Sequence, residues 1–175
     1  MRLTQLSACA LAVIAFSASA DMDEKIQRAE SAAHSDLSSM ATIVDTDGSV
    51  LREGNHWHCM PGIPVMAGDT HPMCNDPVWS ALLQAAAKGE PFETDKIGFS
   101  YMMQGDAMVS NASPAATDPN DGGVWVKEGP HIMIVGPKSM LEGISDDPYN
   151  GGPYVMWKDT PYAHIMVPLD NKTKP

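Results

Sequence analysis

Two short stretches of this 175-residue chain repeat one pattern of chemistry-bearing side chains. Gly129-Pro-His-Ile-Met-Ile-Val-Gly-Pro137 and Pro161-Tyr-Ala-His-Ile-Met-Val-Pro168 each hold His-Ile-Met followed by a β-branched residue. Side chains alternate between the faces of a strand, so His131 would share a face with Met133, and His164 with Met166. If the two strands pair or face each other, two imidazoles and two thioethers converge. Imidazole with thioether suits soft copper(I), whereas imidazole alone suits zinc or copper(II). The expected metal ligands are therefore His131 and His164, with Met133 and Met166 or His58 completing the shell. His56 and His71 are further donors for zinc, which takes four ligands, or three and a water. Each histidine alone reads more simply as a hydrogen-bonded core residue. Most of the 13 methionines must be ordinary core filling.

Two other readings use the same residues differently. Imidazole titrates near neutral pH, so His131 and His164 could serve a small enzyme as general acid and base. Tyr101, Tyr162 and Asp159 would then orient or donate. The chain has no nucleophile elbow, phosphate-binding loop or HExxH helix, so no reaction class and no catalytic residue is assigned. The third reading is a non-catalytic binding or structural module whose loops at 60–73 and 110–123 meet a partner. The candidate partners are a metal ion or a small molecule.

The elements that must position these residues begin with His56–Cys74, HWHCMPGIPVMAGDTHPMC. Its glycines and prolines exclude a long helix. Cys59 and Cys74 are the only cysteines after position 20 and are expected to form a disulfide. Closing such a loop is worth about 3 kcal/mol in the chain-entropy description. The rival use of the pair is as thiolate metal ligands. A helix is expected after Cys74: Asp76 suits the N-cap, Pro77 the first turn, and Gly89 the end. Val78, Trp79, Leu82, Leu83 and Ala86 supply its apolar stripe.

Elsewhere the pattern is mainly strand and turn. Asp47-Gly48 between two β-rich runs predicts a hairpin over 41–52. Lys96–Gln104 alternates as a strand, with Ile97, Phe99, Tyr101 and Met103 on one face. Further strands are expected at 124–127, 131–135, 154–158 and 162–169, and residues 110–123 read as a long loop. Six or seven consecutive strands with two helices indicate an α+β fold. Its sheet should be mostly antiparallel, or a small barrel-like sandwich, with one disulfide.

Residues 1–20 read as a signal peptide: Arg2, an apolar run from Leu6 to Phe16, then Ala18-Ser19-Ala20. The expected cut after Ala20 makes the protein periplasmic or secreted. An N-terminal helix over 21–40 would then lead into a single domain over 41–175. The run is too short for a membrane span. The formal net charge is −11, and losing Arg2 makes the remainder one unit more acidic. Such a chain should repel nucleic acid and anionic membranes.

Tyr101-Met-Met-Gln-Gly105, Gly129-Pro-His-Ile-Met133 and the stretch from Gly151 to Pro168 carry a resemblance. In them the chain resembles an uncharacterised family of small exported, periplasmic bacterial proteins. The likeness covers most of the chain after residue 20, both cysteines included. It implies export and a common fold, and it carries no activity, cofactor or catalytic residue.

Overall fold

A computed structural model describes residues 9–170, apart from 65, 67, 68, 121 and 122, and describes side chains from residue 20 onward. The described chain forms three α-helices, one 3-10 turn and ten strands. The fold is α+β, and its sheets are mostly antiparallel. The larger sheet has eight strands in the order β2-β1-β3-β4-β5-β8-β10-β9. These are β1 Ala41–Val44, β2 Val50–Arg52, β3 Asn55–Met60, β4 Met73–Asn75, β5 Gly98–Met102, β8 His131–Val135, β9 Tyr154–Met156 and β10 His164–Pro168. Only β1 and β3 pair in parallel. The sheet runs from an edge at β2 to an edge at β9, so the described residues close no barrel. Strands β6 (Met108–Ser110) and β7 (Trp125–Lys127) form a separate antiparallel ribbon.

The expected hairpin is present as β1 and β2. The expected helix is α3, Pro77–Lys88, and Asp76 does more than cap it. Its Oδ1 accepts from Trp79 N at 2.8 Å, and its Oδ2 accepts from Phe99 N at 2.8 Å, so one carboxylate ties α3 to β5. Gly89 ends the helix in a left-handed conformation. Gly98 faces α3 so closely that a Cβ there would lie 2.7 Å from the Val78 side chain.

Two expectations need correction. The helix expected over 21–40 is two helices, α1 Cys9–Glu30 and α2 Ser35–Ser38, so the described α-helices number three rather than two. The break at 31–34 has a tertiary cause. The Ser31 and Ala32 carbonyls accept from Gln104 Nε2 and Met103 N, which takes them out of a continuing helical ladder. The His56–Cys74 stretch is a loop only in its middle. Its ends, β3 and β4, pair so that Cys59 and Cys74 lie directly opposite and form the disulfide. On β5 Phe99 and Tyr101 share a face as expected; the opposite face, of Gly98, Ser100 and Met102, is buried, while Phe99 and Ile97 are exposed. The expected leader falls partly on residues 1–8, outside the described residues, and α1 runs through Ala20 without interruption. No described helix is long and apolar enough to cross a membrane.

The two faces of the large sheet are packed differently. On one, Ala29 of α1 and Ala32 and Ala33 of the turn after it pack with Ile43 and the disulfide. Small side chains there let helix and sheet approach closely. On the other, Trp79 and Leu82 of α3 meet Met73, Met102, Met133, Met156 and Met166. Thioether side chains are flexible enough to fill the irregular space between a helix, a sheet and the β6–β7 ribbon. Val109 of the ribbon packs against this methionine-rich core, and Val126 on the ribbon's other strand is buried.

Candidate functional site

The two His-Ile-Met strands do pair, as neighbours in the sheet. They pair antiparallel, with Met166 opposite Met133 and Pro168 opposite His131. The methionines therefore meet in the middle, and the histidines lie on the same face toward opposite ends. His164 is four residues along β10 from the partner of His131, roughly 13 Å of strand. One continuous cross-strand row on this face reads Thr42, His58, Asn75, Ser100, Met133, Met166, Tyr154. His58 thus shares the face but stands three strand spacings from Met133, roughly 14 Å. Between them Ser100 Oγ donates to Asn75 Oδ1 at 2.6 Å.

The other residues singled out earlier are dispersed. His56 is exposed beside Trp57. His71 pairs with Asp69 at 2.9 Å on the loop between β3 and β4. Tyr162 donates its hydroxyl to the Glu90 carbonyl, and Asp159 is exposed. Among the described residues, no group of three or more His, Cys, Asp or Glu side chains is placed to hold a metal ion. A metal held on this face would therefore take sulfur from methionine.

The paired strands share a finer feature. His131 Nδ1 donates to the Gly129 carbonyl at 2.8 Å, and His164 Nδ1 donates to the Tyr162 carbonyl at 2.9 Å. Each partner lies two residues upstream. A carbonyl only accepts, so each Nδ1 carries a proton. Both rings are buried, His131 at 0% and His164 at 1% exposure.

Their surroundings differ. His164 stands edge-to-face against two tryptophans, Trp79 at 5.1 Å and Trp157 at 4.9 Å between ring centroids. Met156 is its register partner on β9. Burial pushes its pKa down to about 4, the Tyr162 carbonyl opposes that shift, and His131 adds slightly to it. The ring is neutral at pH 7. Its Nε2 has no hydrogen-bond partner among the described residues, and neither has the neighbouring Trp79 Nε1–H.

Trp157 holds its place at a conformational cost. It has φ 55°, the one positive φ among described non-glycine residues, a region costing about 1–3 kcal/mol for a bulky side chain. The ribbon holds it there. Trp157 N donates to the Asn111 carbonyl at 2.9 Å and its Nε1 to the Ser110 carbonyl at 2.8 Å. Its own carbonyl accepts from Thr160 N and Oγ1.

At the other end of the ribbon lies a buried polar cluster that the sequence reading missed. Tyr154 donates its hydroxyl to Glu128 Oε1 at 2.5 Å. Burial and then Glu128 push the phenol pKa far up. Asp106, 8% exposed, precedes β6 and donates its N–H to the Glu128 carbonyl at 3.0 Å. Burial raises its pKa to about 6; Asp69 and Glu128 add to the rise, while the Ala107 N–H and His71 oppose it. No spacing rule joins Asp106, Glu128 and Tyr154, because the ribbon brings them together across nearly 50 positions of sequence. The one available signal was that two carboxylates flank a segment of strand character. Compared with protein families, curated proteins and solved structures, the chain finds no match.

Proposed function

We propose that this protein is exported to the periplasm or secreted after loss of residues 1–20, and there binds copper(I) through His164 and the methionine face. The observation that carries the reading is the His164 ring. Its Nδ1 proton is committed to a carbonyl, and its Nε2 lone pair is buried, neutral and unpartnered among the described residues. A ligating histidine characteristically donates its other ring N–H to just such a carbonyl. Met156 stands opposite on the next strand, Met166 lies two residues along the same face, and Met133 is opposite Met166. Imidazole plus thioether is the donor set of soft monovalent copper. The flanking indoles of Trp79 and Trp157 add aromatic surface that attracts a cation. Zinc is disfavoured because it takes four nitrogen, sulfur or oxygen donors, and methionine is a poor one for it. His131 and His58 become outlying donors under this reading. Export is supported by the leader pattern and by a disulfide of the kind that persists in oxidising compartments.

Two measurements test the reading. The exported product should begin at Asp21 on N-terminal sequencing. Untagged protein, titrated anaerobically with copper(I) against a chromophoric chelator, should bind one ion. His164→Ala should weaken binding at least 100-fold, and the volume-conserving Met156→Leu and Met166→Leu at least tenfold each. Unchanged copper affinity in His164→Ala would remove the site.

A further inference from the structure

The β6–β7 ribbon lies over the methionine face and is attached at both ends by different chemistry. At its Ser110–Asn111 end two carbonyls hold Trp157, whose ring stands against His164. At its base the Asp106 N–H meets the Glu128 carbonyl, and Tyr154 from β9 meets the Glu128 carboxyl. Gly105 packs there so closely that a Cβ would lie 2.7 Å from the Glu128 carbonyl oxygen. Between the ends Val109 packs against the methionine cluster and Val126 is buried. A two-stranded ribbon of three residues per strand is not stable by itself. Its position therefore depends on its attachments, to which Asn111 Nδ2 adds a bond to the Asp146 carbonyl and the Tyr149 hydroxyl one to the Trp125 carbonyl at the far end.

We propose that the ribbon is a cover over His164, latched at its base by the burial of Asp106 and released when that carboxyl ionises. Facing Asp106 are Asp69 and His71 from the loop before β4, Glu128 from the end of β7 and Tyr154 from β9. Asp69 and Glu128 favour its neutral form, while the Ala107 N–H and His71 oppose it. His71 is already paired to Asp69. Burial raises the Asp106 pKa to about 6, which puts the change between mildly acidic and neutral medium. Above that pH the ionised Asp106 carboxyl is buried beside the acidic side chains of Asp69 and Glu128, and the cheapest relief is for the base of the ribbon to move into water. Lifting the ribbon withdraws the carbonyls that hold Trp157 in its left-handed conformation. The indole is then free to leave His164 and open a path to Nε2. The proposal supplies a control of access to the copper site proposed above, and rests on that reading only for its purpose.

The test follows backbone amides and needs no metal. Hydrogen exchange of the full chain is measured at pH 5 and pH 7.5 and expressed as protection factors, which removes the intrinsic pH dependence. Amides of 108–110 and 125–127, and the Trp157 amide, should lose at least tenfold protection at pH 7.5, while those of α3 keep theirs. Asp106→Asn, close in size and unable to ionise, should retain the pH 5 protection at both pH values. Equal ribbon protection at the two pH values in the unaltered protein would overturn the latch. So would an equal loss in α3, or a full loss persisting in Asp106→Asn. A pH-dependent ribbon in a protein that binds no copper(I) would leave the cover standing and discard the copper reading.

Discussion

His131 and His164 lie in strands of the same local sequence, on one face of one sheet, each bonded through Nδ1 to the carbonyl two residues back. Their neighbourhoods are nevertheless opposite in character. His131 follows Glu128 and Gly129 at the polar base of the ribbon, where Glu128 meets Tyr154 and the Asp106 N–H. His164 is enclosed by two indoles and faces Met156. Antiparallel pairing is the cause, because it reverses one copy of the repeat and sends identical motifs to opposite ends of the same cover. The difference teaches that a motif supplies a donor, while the surrounding packing decides whether that donor is a ligand, a proton acceptor or a core filler.

The comparison can be broken most forcefully at the apolar end. Trp79 is 2% exposed and packs on His164 and the methionines. Trp79→Ala should cost about 3–5 kcal/mol of stability, measured by urea denaturation. A loss under about 1 kcal/mol would mean that the indole is not part of a packed enclosure.

The next largest effects concern pH, and they have opposite signs at the two ends. The folded pKa of His164, about 4, lies below its ordinary value, so the unfolded chain takes up the proton first. Stability is whole above pH 6.5 and falls as pH drops toward 4, by about 3 kcal/mol for a shift of this size. Asp106 is raised from 3.8 to about 6, so its contribution is whole below 3.8 and lost as pH rises through 6. That loss is also about 3 kcal/mol. In metal-free protein, His164→Gln should therefore gain stability relative to the parent at pH 4.5. Asp106→Asn should gain it at pH 8. Differences of the reverse sign in unfolding curves at the two pH values would sink the distinction between the ends.

Smaller effects sharpen it. Tyr154→Phe deprives the buried Glu128 carboxyl of a donor and should cost about 1–3 kcal/mol at pH 7.5. Thermal melts at pH 7.5 check this. Lys158→Ala removes the exposed pair with Asp146, close in sequence to Trp157 and belonging to neither buried end. It should leave the melting temperature essentially unchanged, as exposed ion pairs do.

How much of this was legible from residue order varies with the range of the interaction. The Asp47-Gly48 hairpin, the Asp76–Gly89 helix limits and the face shared by His131 and Met133 all follow from backbone geometry within a few residues. The Cys59–Cys74 pair followed from the cysteine count and an expected oxidising compartment, and the sheet placed the two cysteines directly opposite. The break in the first helix did not show, because its cause lies at Met103 and Gln104, seventy positions away. The buried face of β5 was also hidden. Gly98 and Ser100 look like poor core residues until α3 and Asn75 press against them. Trp157 was read as an ordinary strand residue, and only the ribbon explains its left-handed backbone.

By itself, then, residue order determined the class of fold, the disulfide partners and the identity of the donor side chains, since each depends on local geometry or on what a residue type can do. Which donor keeps a bare lone pair, which carboxyl is driven toward neutrality and what covers them were decided only by tertiary structure. Desolvation and strand register arise when segments distant in the chain are packed together, and neither is a property of any short stretch of it.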